Sequence, residues 1–507
     1  MKIERRLCVM KRIILNFISI FLFLFACAGT TRAENVGVPS ECEDVMLQAF
    51  YWDSYKTQSG SNSKYGRTKW IDLRKDTAAI NASFDLVWLP PSAYGDGGDG
   101  NGGVGYIPKN FTNQTSDWGQ QTTLVSLISA FHRAGTRVIA DIVINHHGNM
   151  TSWCNFFKDN FGSFGTFQLE SKHICKYDEG FTDPSSGCYG SSDRGGEDTG
   201  PNCEGARDLD HKNEYVQNWS KAYLQWMLSV MKYDGFRYDM TRGFAGKYLK
   251  MYNEASNPYL SVSEFWMDDI KDPIEHLQAT GYNTMVFDFP QKKLFQTAFT
   301  NGSYSVLNKN KSSFSNSFRG QGMEKYAVTF IDNHDTFERS DNQGAEFLGY
   351  NSDLDNSVKR NRIIQANAYI LMMPGVPCVF FPHWSKYKEQ ISSLIAIRKQ
   401  AGIHSESLVT DEQSGQWKYS ATIQGHRANV VLRLGANRSK EAPEGYHLAL
   451  EGGSVSDYTI FISDNAQGME DVNGGRSSLK SEKFVRDGKL LIRVGDKIYD
   501  VLGNMVE

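Results

Sequence analysis

The sequence of 507 residues lacks the features of membrane-spanning proteins, of proteins that bind zinc through cysteine pairs, and of nucleic-acid-binding proteins. Beyond residue 33 no apolar run reaches the ~20 residues that a membrane-spanning helix needs. No CxxC pair is present, which argues against a structural zinc site. The chain has no basic excess either, since its formal net charge is −4, and this argues against a nucleic-acid partner. Internal repeats and low-complexity linkers are also absent from the sequence.

The first 33 residues have the composition of a secretory signal peptide. Basic residues come first, the apolar run Ile13–Phe25 follows, and small residues lead to Ala33. We predict cleavage after Ala33, which would change the formal net charge from −4 to −9 because the leader carries +5. The mature protein would be secreted, or else lysosomal or held at the cell surface. A retained membrane anchor and a lipoprotein attached through Cys27 are the alternatives.

Cysteines and glycosylation sequons fit an exported protein. Six cysteines remain after the leader, and an even number in an exported chain predicts disulfide bonds. Four of the six lie between residues 154 and 203, so we expect bridges to hold that region. Eight Asn-x-Ser/Thr sequons favour a glycoprotein of the eukaryotic secretory pathway.

Short apolar runs alternate with helical patterns through most of the chain. In one such unit Val216, Trp219 and Tyr223 follow helical spacing after the N-cap residue Asn213, and Gly235 precedes the next apolar run. Eight such runs with helices between them predict a parallel (β/α)8 TIM barrel. The predicted strands are Val45–Phe50, Phe84–Leu89, Val138–Ile144, Phe236–Met240, Tyr259–Val262, Thr284–Phe289, Ala327–Ile331 and Pro377–Phe381.

Two stretches depart from this alternation. Roughly ninety residues between the third and fourth strands are rich in Gly, Asp, Ser and Cys, which predicts an inserted subdomain. After residue 404, alternating strands predict a C-terminal antiparallel β-sandwich-like domain. The predicted order is signal peptide 1–33, barrel domain A 34–145, subdomain B 146–207, barrel 208–404 and domain C 405–507. Cys42 lies just before the first barrel strand and Cys378 lies in the last, and these strands would be neighbours, so we predict a disulfide between the two cysteines.

Polar residues stand at the ends of the predicted strands, where a β/α barrel builds its active site. Each alone has a structural explanation, such as a helix cap or a structural ion pair. Together, three carboxylates, two histidines and an arginine at one barrel mouth favour a functional site. The segments are Asn145-His146-His147, Arg237-Tyr238-Asp239, Ser263-Glu264-Phe265-Trp266 and Asp332-Asn333-His334-Asp335.

Two carboxylates in different environments are what the hydrolysis of a glycosidic bond requires. Arg237 and Asp239 share one face of their strand, so the arginine should hold the aspartate ionised. Glu264 is followed by two aromatic residues, and desolvation beside them should raise its pKa. Aromatic residues near the mouth suit stacking on sugar rings, although they also suit a core. They are Tyr51, Trp52, Tyr106 and Trp266.

Seven motifs in order carry a family resemblance over residues 45 to about 405. Four segments resemble the signature regions of glycoside hydrolase family 13, the α-amylase family, and three more resemble its secondary motifs. IRKQAGIHSES (Ile397–Ser407) is similar to the plant-type enzymes. The seven are DIVINH (Asp141–His146), GFRYD (Gly235–Asp239), SEFW (Ser263–Trp266), FIDNHD (Phe330–Asp335), RDLDH (Arg207–His211), GYIP (Gly105–Pro108) and PGVPCVFF (Pro374–Phe381).

The resemblance implies retaining endo-hydrolysis of the α-1,4-glucans starch, glycogen and maltooligosaccharides by a monomer. Asp239 would be the nucleophile, Glu264 the acid/base, and Asp335 the residue that binds the sugar hydroxyls. A sibling enzyme (α-glucosidase, cyclodextrinase or transglycosylase) and a non-catalytic glucan-binding protein are the alternatives. The candidate substrate-binding residues are Arg237, His146, His334, Tyr106, Trp266 and Trp52.

The family also implies a Ca²⁺ ion between the inserted subdomain and the barrel. By position Asn145 and Asp208 match its main ligands, and Asp198 and the carbonyl oxygens of Pro201 and Gly243 are further candidates. All are oxygen donors, which calcium prefers. The alternative for Asp208 is a plain turn residue, and the four cysteines of the insertion and the long C-terminal domain depart from the plant pattern.

Overall fold

A computed structural model describes residues 35–56, 65–98, 102–337, 357–452 and 457–464, together with three strands between 481 and 500. The chain divides into two compact units, Met1–Asp464 and Asn465–Glu507. The predicted signal peptide, residues 1–33, lies outside the described residues. Within the described part of the chain, every helix is too short or too polar to cross a membrane.

The first unit contains the predicted barrel, in which eight strands close into a ring with parallel neighbours. The strands are β1 Met46–Gln48, β2 Leu86–Leu89, β3 Arg137–Ile142, β4 Gly235–Tyr238, β5 Ser261–Ser263, β6 Met285–Phe287, β7 Ala327–Phe330 and β8 Val376–Phe380. Each pairs with the next in chain order, and β1 also pairs with β8. Nearly all strand residues are buried, as expected for strands covered on both faces.

Helices connect the strands, and local sequence explains several of their ends. Asn213 caps one helix, since its side chain accepts a hydrogen bond from Tyr215 N at 2.9 Å. Gly135 follows another with φ +90°, a conformation that favours glycine. The helices are α1 Trp70–Asn81, α2 Gln121–Arg133, α3 Glu214–Ser229, α4 Gly246–Ser256, α5 Lys271–Ala279, α6 Phe289–Asn301, α7 Ser357–Met372, α8 Phe381–Lys386 and α9 Lys388–Ala401.

The long connection between β3 and β4 is built from short strands and turns. One disulfide, Cys154–Cys188, closes part of it, and Cys175 and Cys203 are free. The short strands pair as His146–His147 with Arg207–Asp208 and Lys158–Asn160 with Thr166–Gln168, and Tyr94–Gly95 pairs with Pro108–Asn110 in an earlier connection. Short 3-10 helices span Gly162–Phe164, Ser171–His173, Glu179–Phe181, Thr241–Gly243, Tyr304–Leu307, Arg319–Gln321 and Glu324–Tyr326.

The predicted disulfide between Cys42 and Cys378 is wrong, because both cysteines are free and buried. The strands are neighbours as predicted, but Cys378 pairs in register with Met46. Cys42 precedes Met46 by four residues, and four extended residues span about 13 Å. A segment extended to that length would exceed the ~7 Å between Cα atoms that a disulfide tolerates.

Antiparallel strands follow the barrel, which confirms the predicted change of architecture. In the first unit five strands form a sheet in the order β9-β10-β11-β13-β12. The second unit contains a three-stranded antiparallel sheet. The strands are β9 Val409–Ser414, β10 Tyr419–Gln424, β11 Asn429–Leu434, β12 Tyr446–Glu451 and β13 Tyr458–Ser463 in the first unit, then β14 Ser481–Arg486, β15 Lys489–Val494 and β16 Lys497–Asp500.

Candidate active site

Arg237 on β4 is the centre of a charged cluster at the barrel mouth. Its guanidinium donates through Nη1 to Asp141 Oδ1 and Asp239 Oδ1, both at 2.7 Å, and its Nη2 lies 2.9 Å from Glu264 Oε1. Arg237 and Asp141 are in register on the adjacent strands β4 and β3, and Arg237 is only 1% exposed. One buried cation therefore holds three carboxylates together, where the sequence predicted a single Arg–Asp pair.

The environment of Glu264 favours its protonated form. Desolvation raises the pKa of Glu264 to about 8, and the nearby carboxylates of Asp239 and Asp335 act in the same direction against the opposing charge of Arg237. The backbone N–H of Met240 donates to Glu264 Oε2 at 2.9 Å. The raised pKa favours the protonated form of this carboxyl group.

Three aromatic rings form one wall of the site. Trp52 stacks on Tyr106 with ring centroids 5.6 Å apart, and Tyr106 stacks on His334 at 5.3 Å. Tyr106 Oη donates to Asp141 Oδ2 at 2.9 Å, which fixes the ring beside the charged cluster. Trp52 is half-buried, so part of its ring faces solvent at the mouth.

Asp335 lies beside the imidazole of His334, whose Nε2 is 3.2 Å from Asp335 Oδ2. The side-chain amide of Gln48 lies 3.0 Å from Nδ1 of the same ring. When this amide donates to Nδ1, the ring proton is on Nε2 and points to Asp335 and the Tyr106 hydroxyl. The carboxylate of Asp335 is thereby held at the mouth on a partly exposed side chain.

His146 and Trp266 lie at the edges of this site. His146 Nε2 lies 2.8 Å from the Tyr106 carbonyl oxygen and Nδ1 lies 3.4 Å from Asn145 Nδ2. Both ring nitrogens therefore have protein partners, and a sugar hydroxyl would have to replace one of them. Trp266 stacks on Phe289 with centroids 4.7 Å apart and is half-buried.

Two residues of the site were not identified from the sequence. Asp141 contacts Arg237, Tyr106 and the indole N–H of Trp88. The sequence did contain a signal for Asp141, because burying a lone acid inside the apolar run VIADIVINHH costs free energy in the same way as burying the charges of GFRYDM. Gln48, which is buried under His334, had no comparable signal.

A comparison with protein families matches residues 81–416 to the α-amylase catalytic domain. The chain belongs to the α-amylase family. The match covers β2 to β8, and with them Arg237 and the carboxylates around it. The glycoside hydrolase class predicted from the motifs is therefore confirmed, as is the barrel predicted from the alternation of strands and helices.

Plant α-amylases are among the relatives, as the motifs predicted. The chain is 28% identical over 449 residues to Alpha-amylase 3, chloroplastic, of Arabidopsis thaliana, a match that covers 82% of this chain but only 44% of that protein. It is 28% identical over 431 residues to Probable alpha-amylase 2 of the same plant, covering 81% and 92%. A crystal structure of an α-amylase from Geobacillus thermoleovorans complexed with acarbose shares the fold, with TM-score 0.57, 15% identity and coverage of 83% and 98%.

Three of the residues that the α-amylase resemblance suggests as calcium ligands lie together: Asn145, Asp208 and Gly243. Asn145 Nδ2 donates to Asp208 Oδ1 at 3.2 Å. A Cβ on Gly243 would lie 1.9 Å from Asn145 Oδ1, and one on Gly200 would lie 2.5 Å from the Gly243 carbonyl oxygen. Glycine at both positions therefore allows the insertion and the loop after β4 to approach Asn145 closely.

Asp198 and Asp208 place two carboxylates close to each other, with Lys212 as a weak positive influence on Asp198. Asp198 Oδ2 is buried and accepts no hydrogen bond from the described residues, and the weakly donating thiol of Cys175 lies beside the carboxylate. Burial raises the pKa of Asp208 to about 7, and Asp198 adds to the effect. This donor set of carboxylate and amide oxygens fits calcium. Pro201 is exposed, and its carbonyl oxygen makes no hydrogen bond within the described part of the chain.

Proposed function

We propose that the protein is a secreted α-amylase that hydrolyses internal α-1,4-glucosidic bonds of starch, glycogen and maltooligosaccharides with retention of configuration. The observation that carries the proposal is the contact of one buried guanidinium with two carboxyl groups at the barrel mouth, Asp239 and Glu264. Asp239 lies 2.7 Å from Arg237, and Glu264, which contacts the same guanidinium, has its pKa raised to about 8 by desolvation. A nucleophile and an acid then stand side by side at neutral pH.

The first chemical step uses both groups. Glu264 donates its proton to the glycosidic oxygen while an Asp239 oxygen attacks the anomeric carbon, so the C–O bond to the leaving sugar breaks as the glycosyl–enzyme bond forms. In the second step Glu264 takes a proton from water, which attacks the anomeric carbon and frees Asp239. Both carboxyl groups contact one guanidinium, and the proposed retention requires them to stand ~5–5.5 Å apart rather than at the ~6.5–9.5 Å of inverting enzymes.

The remaining residues of the mouth are suited to binding the sugar and do not act on the bond that breaks. Asp335 presents a partly exposed carboxylate that suits sugar hydroxyl groups. The stacked rings of Tyr106 and Trp52 offer apolar faces for a pyranose ring. His334 positions Asp335 and Tyr106, and His146 positions Tyr106 through its carbonyl oxygen.

A Ca²⁺ ion would be held by Asn145, Asp208, Asp198 and the carbonyl oxygen of Gly243. When bound, the ion supplies positive charge that keeps Asp198 and Asp208 ionised, and it ties the insertion to the barrel. Asn145 adjoins His146, whose ring nitrogen it contacts at 3.4 Å. The proposed calcium site thereby helps to position His146, which in turn contacts the carbonyl oxygen of Tyr106 in the aromatic wall of the active site.

Secretion and glycosylation complete the proposal. Among the sequons whose burial the structure describes, three place their asparagine on the exposed surface: Asn218, Asn310 and Asn437. Sequencing of the mature N-terminus should begin at Glu34, and a deglycosylating enzyme should reduce the apparent mass. A mature chain that still begins at Met1, or that carries lipid on Cys27, would contradict the proposed export.

Product analysis on soluble starch with nuclear magnetic resonance of the anomeric protons tests the function. We expect a mixture of maltooligosaccharides that appear first as α-anomers. Glu264→Gln should abolish hydrolysis with an unchanged circular dichroism spectrum, and Glu275→Gln, an exposed glutamate on α5, serves as the matched control. Glucose as the sole product, β-anomers, or starch binding without products would each contradict the proposal.

A further inference from the structure

Three possible metal ligands meet at a second place, outside the active site and the proposed calcium site. Glu41 precedes β1, His404 follows α9, and His426 lies in the turn between β10 and β11. One ligand atom from each residue lies within 4.8 Å of the other two. Two imidazoles and a carboxylate are the donor set of many zinc sites, with water as the fourth ligand.

Backbone hydrogen bonds hold the three segments in place. The segment before β1 pairs with the one after α9, since Ser405 N donates to the Cys42 carbonyl oxygen at 2.9 Å. The turn between β10 and β11 is joined to the end of α9, because His426 N donates to the Gly402 carbonyl oxygen at 3.0 Å. The three side chains therefore start from a fixed backbone frame, which lowers the entropy cost of binding a ligand.

The ring of His426 is oriented as in a metal site. Its Nδ1 lies 3.0 Å from Glu43 Oε1, and Glu43 is itself held by Arg427, whose Nη2 is 2.6 Å from Oε2. With Nδ1–H donating to Glu43, the lone pair of Nε2 is available and faces Glu41 Oε2 at 3.6 Å. A carboxylate that accepts from the outer nitrogen fixes the tautomer that binds metal.

His404 supplies the second imidazole. Its ring stacks on that of His426 with centroids 4.1 Å apart, and it is buried whereas His426 is exposed. The backbone N–H of Glu406 reaches His404 Nδ1 at 3.3 Å, a long hydrogen bond. Coordination by His404 would break this contact, because Nδ1 must then either bind the metal or carry the proton.

We propose that Glu41, His404 and His426 bind a divalent transition-metal ion of the Zn²⁺ type, with Glu43 as the residue that orients His426. The bound ion links the segment before β1, the end of the last barrel helix and the C-terminal sheet. Because it binds the folded state alone, it raises the stability of the first unit. The site takes no part in sugar chemistry.

Calorimetric titration with Zn²⁺ tests the site on the full chain, prepared without a histidine tag and kept in excess Ca²⁺ to fill the proposed calcium site. We expect one Zn²⁺ per chain and a rise in Tm. His426→Ala should abolish the binding, and Glu43→Gln should weaken it about 10–100-fold. The matched control is His447→Ala, which removes an exposed histidine paired with Asp464 on the same sheet and should leave the affinity unchanged.

His404 is buried, so His404→Gln is used for this position, with circular dichroism as the check of folding. It should lose the binding that His447→Ala retains. Failure of the wild-type chain to bind Zn²⁺, equal affinity in the His426→Ala variant, or displacement of Zn²⁺ by Ca²⁺ would overturn the proposal. Starch hydrolysis is not the readout, so these outcomes are independent of the proposed function.

Discussion

Arg237 has three acidic partners, one buried inside the barrel and two at its mouth. Asp141 is fully buried beside it, whereas the side chains of Asp239 and Glu264 are each 12% exposed at the mouth. Moving a charge out of water costs several kcal/mol, and a buried ion pair recovers this only with good geometry. The two carboxylates at the mouth are the ones that substrate can reach, so the cluster holds them ready for the reaction.

We expect Asp239→Asn to be inactive and no less stable than the wild type. Arg237 retains Asp141 and Glu264 as partners, so no charge is left uncompensated. Arg237→Met, by contrast, leaves the carboxylates without their cation and should lower the free energy of unfolding by about 3–5 kcal/mol. Urea denaturation checks both variants, and an Asp239→Asn loss as large as that of Arg237→Met would show that the aspartate is structural.

The raised pKa of Glu264 sets the direction of the pH dependence. An acid must be protonated to act, so kcat/KM should fall as the pH rises through about 8. The pKa of Glu264 in the folded state lies above the ordinary value of 4.5, so between pH 4.5 and about 8 the folded state binds more protons than the unfolded state. The contribution of Glu264 to the free energy of unfolding is therefore lost as the pH rises through about 8. Tm measured from pH 5 to 9 should therefore vary less in Glu264→Gln than in the wild type; identical profiles would contradict this.

At the scale of elements, the loop after β4 and the insertion after β3 depend on each other at Gly243. We expect Gly243→Ala to weaken calcium binding, because the added Cβ would lie 1.9 Å from Asn145 Oδ1 and displace that ligand. The measurement is the fall in Tm on adding excess EDTA, which should be large in the wild type and small in the variant. Gly415→Ala is the control, since its Cβ would meet only the Lys418 carbonyl oxygen at 3.9 Å. An equal EDTA effect in all three proteins would argue against the site.

The elements themselves were predictable, because each of the eight barrel strands overlaps one of the predicted, largely apolar runs. Their ends were not: Val45, Ala49 and Phe50 are buried but lie outside β1, since apolar residues continue into loops that pack on the barrel. Disulfides were harder still, as strand register decides whether Cys42 can reach Cys378, and the Cys154–Cys188 pair follows from a loop path that no local pattern encodes. Asp141 was missed because it was read as part of a motif rather than as a buried charge.

At the scale of the first unit, a buried ion pair joins the barrel to the sheet β9–β13. Arg319, in the connection between α6 and β7, contacts Glu412 of β9 at 2.6 Å, and both side chains are nearly inaccessible. Tyr419 of β10 donates to the same carboxylate, and the Tyr369 hydroxyl of α7 lies 3.2 Å from Arg319. The barrel and the sheet therefore share a buried polar cluster in which each supplies hydrogen-bond or ion-pair partners to the other.

Glu412→Ala should lower the free energy of unfolding by about 3–5 kcal/mol, because it leaves the Arg319 guanidinium buried without its carboxylate. Denaturant unfolding measures the loss. Glu441→Ala, at an exposed position that follows β11, should change stability by no more than about 0.5 kcal/mol. Equal losses in the two variants would mean that the pair does not couple the barrel to the sheet.

The pairing of β1 with β8 has a consequence for synthesis. The partner of Met46 is Cys378, so one edge of β1 stays open until more than 300 further residues have been made. At ~5–20 residues per second this takes on the order of half a minute, during which an unpaired strand edge is open to wrong partners. Ribosome-bound chains that stop before β8 should be digested readily by protease, and chains extended past α9 should resist it. Until β8 has been synthesised, the nascent protein thus depends on chaperones or on rapid synthesis to keep the open edge of β1 from pairing wrongly.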